Sequence, residues 1–132
     1  MQVVLRITRH PLDLDREEFL KRIYGSDLRV VTDDIRYGEQ SVEAVLALIA
    51  NTQSNGDKVV ALEAQAPFPV LLKLVERRRD LGVTLIRAQF DRDEGGRAIV
   101  VGKDEGGRDV LKFSHYEELV RIEFETRSLE PI

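Results

Sequence analysis

The sequence contains no cysteine, which rules out a disulfide framework, a thiolate metal site and a cysteine nucleophile. It also has no apolar run near the about 18 residues that a membrane span needs, and the N-terminal stretch Val3-Val4-Leu5 is cut short by Arg6. A reducing cytoplasmic location with no membrane association is therefore expected. There is no excess of basic residues: the net charge is −4 and the isoelectric point about 5.3, so the summed field repels a phosphate backbone and duplex nucleic acid is not an expected partner. A small anion held by a few local donors remains compatible with that charge, because a local cluster outweighs a modest global field at short range.

Sequence motifs narrow the field further. After the first strand there is no glycine-rich phosphate fingerprint, no lysine of the Walker type appears, and no Ser-His-Asp set sits in a nucleophile elbow. Dinucleotide- and triphosphate-dependent chemistry is disfavoured, and no cofactor is expected. What remains is ordinary globular composition, 42% hydrophobic and 33% charged over 132 residues. That length suits one domain, 1–132, with its own core.

The hydrophobic pattern predicts strands over 2–8, 28–32, 58–63 and 83–90. Between them lie helical patterns. Asp13 suits an N-cap and Gly25 a helix end; Val42, Val45, Leu46 and Ile49 follow one helix face; Pro67 and Pro69 suit a helix start, with Gly82 closing it after Arg77-Arg78-Arg79. The order βαβαβαβ over 1–90, with right-handed crossovers, predicts an α/β fold: a three-layer, Rossmann-like domain with a mainly parallel sheet.

Residues 91–132 change character and are expected to form an antiparallel β-meander or hairpin extension. The motif Asp-Glu-Gly-Gly-Arg occurs at both Asp93 and Asp104, where paired glycines suit tight turns between strands over 97–102 and 108–113. Ser114-His115-Tyr116-Glu117 matches a capping box and predicts a helical turn. The alternation Val120, Ile122, Phe124 then predicts a last strand over 120–127, which extends the sheet or pairs with a second copy.

In an open parallel sheet, ligands bind outside the carboxyl ends of the strands, where loops and helix N-termini converge. That topology selects Thr8, Arg9 and His10 after the first strand, Asp33, Asp34, Arg36 and Tyr37 after the second, Glu63 and Gln65 after the third, and Gln89 and Asp91 after the fourth. Thr8 and Arg9 offer donors to an anionic oxygen, and an imidazole such as that of His10 exchanges protons near neutral pH. The plainer alternative makes Arg9 and His10 surface residues ahead of Pro11. Asp33, Asp34 and Glu63 form a second candidate set, carboxylates that would hold Mg²⁺ or Mn²⁺ for phosphoester hydrolysis, against the alternative that adjacent aspartates cap or solvate a loop.

The first strand running into Thr8-Arg9-His10-Pro11, and the strand over 59–63 running into Ala66-Pro67 and a helix, resemble the small stand-alone CRISPR-associated ring nucleases, compact relatives of the CARF domain. The resemblance covers 1–90 as a layout; the repeated Asp-Glu-Gly-Gly-Arg meander and the alternating tail have no counterpart in it. It implies a homodimer that binds, and cleaves without metal, a cyclic oligoadenylate, using a ribose 2′-hydroxyl as internal nucleophile. It would place Arg9 and His10 in the catalytic role, with Thr8, Arg9 and His10 against phosphate or ribose and Gln65 at the mouth of the third strand; the strand-end topology adds Asp33 and Arg36 to the ligand-binding set, although the acidic segment from Asp33 is poorly placed for a polyanion. Two other readings stand beside it: a non-catalytic interaction module that pairs through its C-terminal strand, and the metal-dependent phosphoesterase.

Overall fold

A computed structural model describes residues 1–8, 10–34 and 41–131. Among these residues the chain runs β1 (Gln2–Ile7), α1 (Leu14–Tyr24), β2 (Arg29–Asp33), α2 (Ser41–Ser54), β3 (Lys58–Ala64), α3 (Phe68–Glu76), α4 (Arg78–Leu81), β4 (Thr84–Phe90), β5 (Val100–Lys103), β6 (Asp109–Leu111) and β7 (Phe113–Glu118). The sheet order is β2-β1-β3-β4-β7, and β5 pairs with β6 in a separate hairpin. The first four strands are mutually parallel, and β7 runs antiparallel along β4. The chain is thus mixed α/β with a mostly parallel sheet, and none of the described helices is long and apolar enough to cross a membrane.

Strand alternation distributes β1 between two cores. Val3, Leu5 and Ile7 pack with Val45 and Ile49 of α2 and Leu74 of α3 on one side. Val4 joins Leu20 of α1, Ala61, Ile86 and Tyr116 on the other. The sheet is buried on both faces, which is why its central strands read as continuous apolar runs.

Local chemistry sets the helix ends. The Asp13 carboxylate accepts the Arg16 backbone N–H at 2.8 Å to cap α1, and the Gly25 N–H closes its far end on the Lys21 carbonyl. The single helix expected up to Gly82 is two pieces, α3 and α4, broken at Arg77; Gly82 ends the second in the left-handed region at φ 66°.

Two C-terminal expectations are corrected. The Ser114 to Glu117 segment is not a helical turn but part of β7, and residues 120–127 form no strand. Both follow from one cause. The free edge of β4 takes β7, with Ala88 opposite Tyr116 and Phe90 opposite Phe113, and Phe113 and Tyr116 then pack on Phe19 of α1 with ring centroids 5.7 and 5.9 Å away. Burial of these aromatics outweighs a local cap preference. With that edge filled, the chain leaves the sheet after the Leu119 N–H donates to the Leu85 carbonyl at 2.8 Å; Ile122 packs against the core and Phe124 meets Phe68 edge-on at 5.6 Å.

Leu74 is fully buried and Leu129 is 96% exposed. In urea unfolding, Leu74→Ala is expected to lose about 2–5 kcal/mol, and Leu129→Ala to stay within about 0.5 kcal/mol of the parent.

Candidate functional site

The strand order steps from β1 outward to β2 on one side and to β3 on the other, so the carboxyl ends of β1 and β3 flank a point where successive connections diverge. Four of the predicted rim residues, Thr8, His10, Asp33 and Gln65, meet there. The Thr8 hydroxyl donates to Gln65 Oε1 at 3.0 Å and accepts the His10 backbone N–H at 3.1 Å. The Thr8 N–H donates to the Asp33 carbonyl at 3.1 Å, and the Gln65 N–H to the Ile7 carbonyl at 3.3 Å. Thr8, His10, Asp33 and Gln65 therefore share one edge; Arg9, Arg36 and Tyr37 lie outside the described residues. Thr8 is buried with its hydroxyl already committed, so it ties the β1 exit to the β3 exit, whereas His10 and Gln65 are exposed.

Beneath this rim is a charged network. Arg6 is 0% exposed and Glu63 1%, side by side in register on β1 and β3. Arg6 Nε donates to Glu63 Oε1 at 2.9 Å, and Nη1 donates to Thr32 Oγ1 at 3.0 Å and to the His10 carbonyl at 3.3 Å. The Tyr116 hydroxyl donates to the same Glu63 oxygen at 2.7 Å. Among the described residues, Arg6 Nη2 and Glu63 Oε2 have no hydrogen-bond partner. Burial, and next the neighbouring Glu63 charge, push the Tyr116 phenol well above its ordinary value.

The network decides the fate of the carboxylate set. Glu63 is held by Arg6 and Tyr116 beneath the surface, and no three His, Asp or Glu side chains among the described residues are grouped to hold a metal ion. Asp33, Asp34 and Glu63 do not assemble into a metal centre.

Among the described residues, two cavities open along the rim. One, of about 280 Å³, lies beside the first turn of α1, bounded by His10, Leu12, Arg16, Gln65, Phe90 and the β6 residue Val110. The other, of about 330 Å³, lies toward α3 between Leu71, Arg87, Gln89 and Leu119. The β5–β6 hairpin walls the first cavity. It is tied down where the Asp91 N–H donates to the Lys112 carbonyl at 2.9 Å and the Ile99 N–H to the Asp91 carbonyl at 3.0 Å.

The two Asp-Glu-Gly-Gly-Arg segments make the same turn in this hairpin region. Asp93 Oδ1 accepts the Arg97 N–H and Asp104 Oδ1 accepts the Arg108 N–H, at 3.0 and 2.9 Å. Gly96 and Gly107 follow at φ 80° and 76°, a conformation that explains the second glycine of each motif.

Compared with known proteins, the chain matches no family model, no curated protein and no solved structure at a significant level. The site is therefore read from its own geometry. Sequence reasoning did not find Arg6, Arg16 or Tyr116. The available sign was an arginine inside Val3-Val4-Leu5-Arg6-Ile7 and a glutamate inside Val59-Val60-Ala61-Leu62-Glu63, two charges placed where a doubly covered strand should be apolar.

Removing one member of the buried pair leaves the other charge uncompensated, so Arg6→Met is expected to cost about 3–5 kcal/mol. Arg6→Met/Glu63→Gln should recover most of that loss, since a glutamine oxygen still accepts from Tyr116. Equal destabilisation in the single and double variants would show that the pair is not the cause.

The raised Tyr116 value also sets a pH dependence. Its contribution is fully present below the unfolded value of 10.0 and is lost as pH rises from there through the folded value. Stability of the parent is expected to fall above that pH. Tyr116→Phe should be less stable at neutral pH by about 1.5–3 kcal/mol, with a gap that narrows in alkali.

Proposed function

We propose that the chain is a nucleotide-ligand-binding domain of Rossmann-like, three-layer type that seats its ligand on the rim formed by the ends of β1, β2 and β3. The observation that carries this reading is the convergence of His10, Gln65 and the Thr8 hydrogen-bond hub on that rim, beside a cavity. Together with the resemblance over 1–90, it makes a cyclic oligoadenylate the ligand of choice, cleaved without metal by a homodimer in which each copy supplies one rim.

The reaction balances without water. The ribose 2′-hydroxyl gives up its proton and bonds to the adjacent phosphorus; the bond from phosphorus to the 5′-oxygen breaks, and that oxygen takes a proton. Products are a 2′,3′-cyclic phosphate and a 5′-hydroxyl. The protein's part is to orient the ring and stabilise the departing charge. His10, exposed at the cavity and held through both its backbone groups, is the proton-exchanging side chain of this proposal. Arg9 and Arg36 are the proposed cationic contacts, with Asp33 at the β2 end.

Incubation with cyclic tetra- and hexaadenylate is expected to give linear products in the presence of EDTA. His10→Ala should slow cleavage by about 10²–10⁴-fold. Neither binding nor cleavage at micromolar protein would overturn the proposal.

A second reading, an interaction module, is favoured by the segment after Leu119, which is outside the sheet and leaves Val120, Phe124 (65%) and Leu129 exposed. If that segment joins two copies, a chain ending at Leu119 should lose the dimer and keep its fold, by light scattering and circular dichroism. A parent that is already monomeric contradicts this reading.

A further inference from the structure

The cavity beside α1 is lined by one cation, Arg16, for which two side-chain nitrogens have no acceptor among the described residues. Arg16, in the first turn of α1, is only 8% exposed and is one of the residues lining the 280 Å³ space. Its Nε and Nη1 are buried, and no described residue accepts a hydrogen bond from either. The Asp13 carboxylate lies 3.3 Å from Nε and balances the charge without forming that bond. The guanidinium carbon sits over the Phe90 ring, 5.2 Å from its centroid, and over that of Phe113 at 5.9 Å, cation–π contacts that hold the charge in place without supplying a hydrogen-bond acceptor. Nε and Nη1 are closed off from the cavity as well as from acceptors, so an oxyanion in the cavity meets the group at Nη2, which is not among the buried unpartnered atoms, and through the charge of the guanidinium.

The remaining walls say what carries that oxyanion. Pro11, Leu12, Val110 and Phe90 present apolar surface, and the exposed Gln65 amide adds a donor and an acceptor at the edge. Two further carboxylates, Asp104 and Asp109, come from the hairpin side. Asp104 Oδ1 accepts the Arg108 N–H and Asp109 Oδ1 accepts from Lys103 Nζ at 3.0 Å, so both are partly engaged, yet their charge opposes a polyanion. A volume of about 280 Å³, just below the about 300–1,000 Å³ usual for ligand pockets, admits one ring with one charged group.

We propose that this cavity binds a flat unsaturated ring bearing a single oxyanion, a phosphate or a carboxylate, with Arg16 as the anion-holding residue and the β5–β6 hairpin as the wall over the ring. This rests on the reading of the rim as a ligand site and deepens it. One nucleotide unit fits the description, whereas a whole cyclic oligonucleotide exceeds the space.

The test is calorimetric titration of the full chain with two matched pairs of probes: adenosine 5′-monophosphate against adenosine, and nicotinate against nicotinamide. The charged member of at least one pair should bind at least tenfold more tightly than its neutral counterpart, and which pair responds tells phosphate from carboxylate. Arg16→Gln should weaken that binding by at least tenfold, and Arg16→Lys by less. Val110→Trp, which fills the cavity from the hairpin and leaves Arg16 in place, should abolish binding while the melting curve stays cooperative. It carries the test if Arg16→Gln does not fold.

Binding of neither charged probe at millimolar concentration overturns the inference, as does equal affinity in parent, Arg16→Gln and Val110→Trp. If cyclic tetraadenylate binds the parent while both charged probes fail, the inference falls and the cyclic-nucleotide reading stands. If a charged probe binds through Arg16 and the cyclic ring does not, the reverse holds.

Discussion

The contact between Arg6 and Glu63 joins two neighbouring parallel strands by a buried ion pair, and the groups it gathers reach well beyond those two side chains. Arg6 also donates to Thr32 on β2 and to the His10 carbonyl in the loop after β1, while Glu63 accepts from Tyr116 on β7. One ion pair therefore ties β1, β2, β3 and β7 together at the end of the sheet where the candidate site lies. Taking two charges out of water is unfavourable, and the cost is offset only where geometry is good and further hydrogen bonds satisfy both groups. Here two acceptors, Thr32 Oγ1 and the His10 carbonyl, take bonds from Arg6 and one donor, the Tyr116 hydroxyl, gives one to Glu63, and the unpartnered Arg6 Nη2 and Glu63 Oε2 mark what is left unsatisfied. An apolar pair of similar volume would fill the same space, but it would not hold the His10 loop.

The rim above this pair is built from short-range bonds that each need the one below. Thr8 fixes the spacing between the β1 and β3 exits through Gln65, and its hydroxyl also takes the His10 N–H. His10 is then held through both its carbonyl and its N–H, and it is an exposed residue of the cavity lining. The C-terminal third of the chain closes the arrangement from the other side. β7 fills the β4 edge and delivers Tyr116 to Glu63, and the β5–β6 hairpin supplies a wall. The C-terminal segment is in this sense part of the site rather than an appendage to it.

The alternation of β1, β2, β3 and β4 with helices was legible in the sequence because apolar periodicity and end residues such as Asp13, Gly25, Pro67 and Gly82 act locally. The shared edge of Thr8, His10, Asp33 and Gln65 followed from topology alone, since parallel strands present their exits on one side. What escaped depended on contacts distant in sequence. Ser114 to Glu117 carries a helix-cap pattern, yet the open β4 edge and Phe19 make it a strand; the alternation of Val120, Ile122 and Phe124 is that of a strand whose place in the sheet is already taken. Arg6 looked like an interruption of an apolar stretch, and only the register that sets it opposite Glu63 turns it into a partner. The carboxylates of Asp33, Asp34 and Glu63 fit a metal set or a solvated loop equally well as a pattern, and only the pairing of Glu63 with Arg6 and Tyr116 removes Glu63 from the first.

The central claim is that the buried pair holds the rim in place. Residue-resolved amide hydrogen exchange in the parent and in Arg6→Met/Glu63→Gln tests it most directly. The account predicts that protection of the His10 and Gln65 amides falls sharply in the double variant while Val59 and Leu62 in the core keep theirs. Unchanged protection at His10 and Gln65 would contradict it.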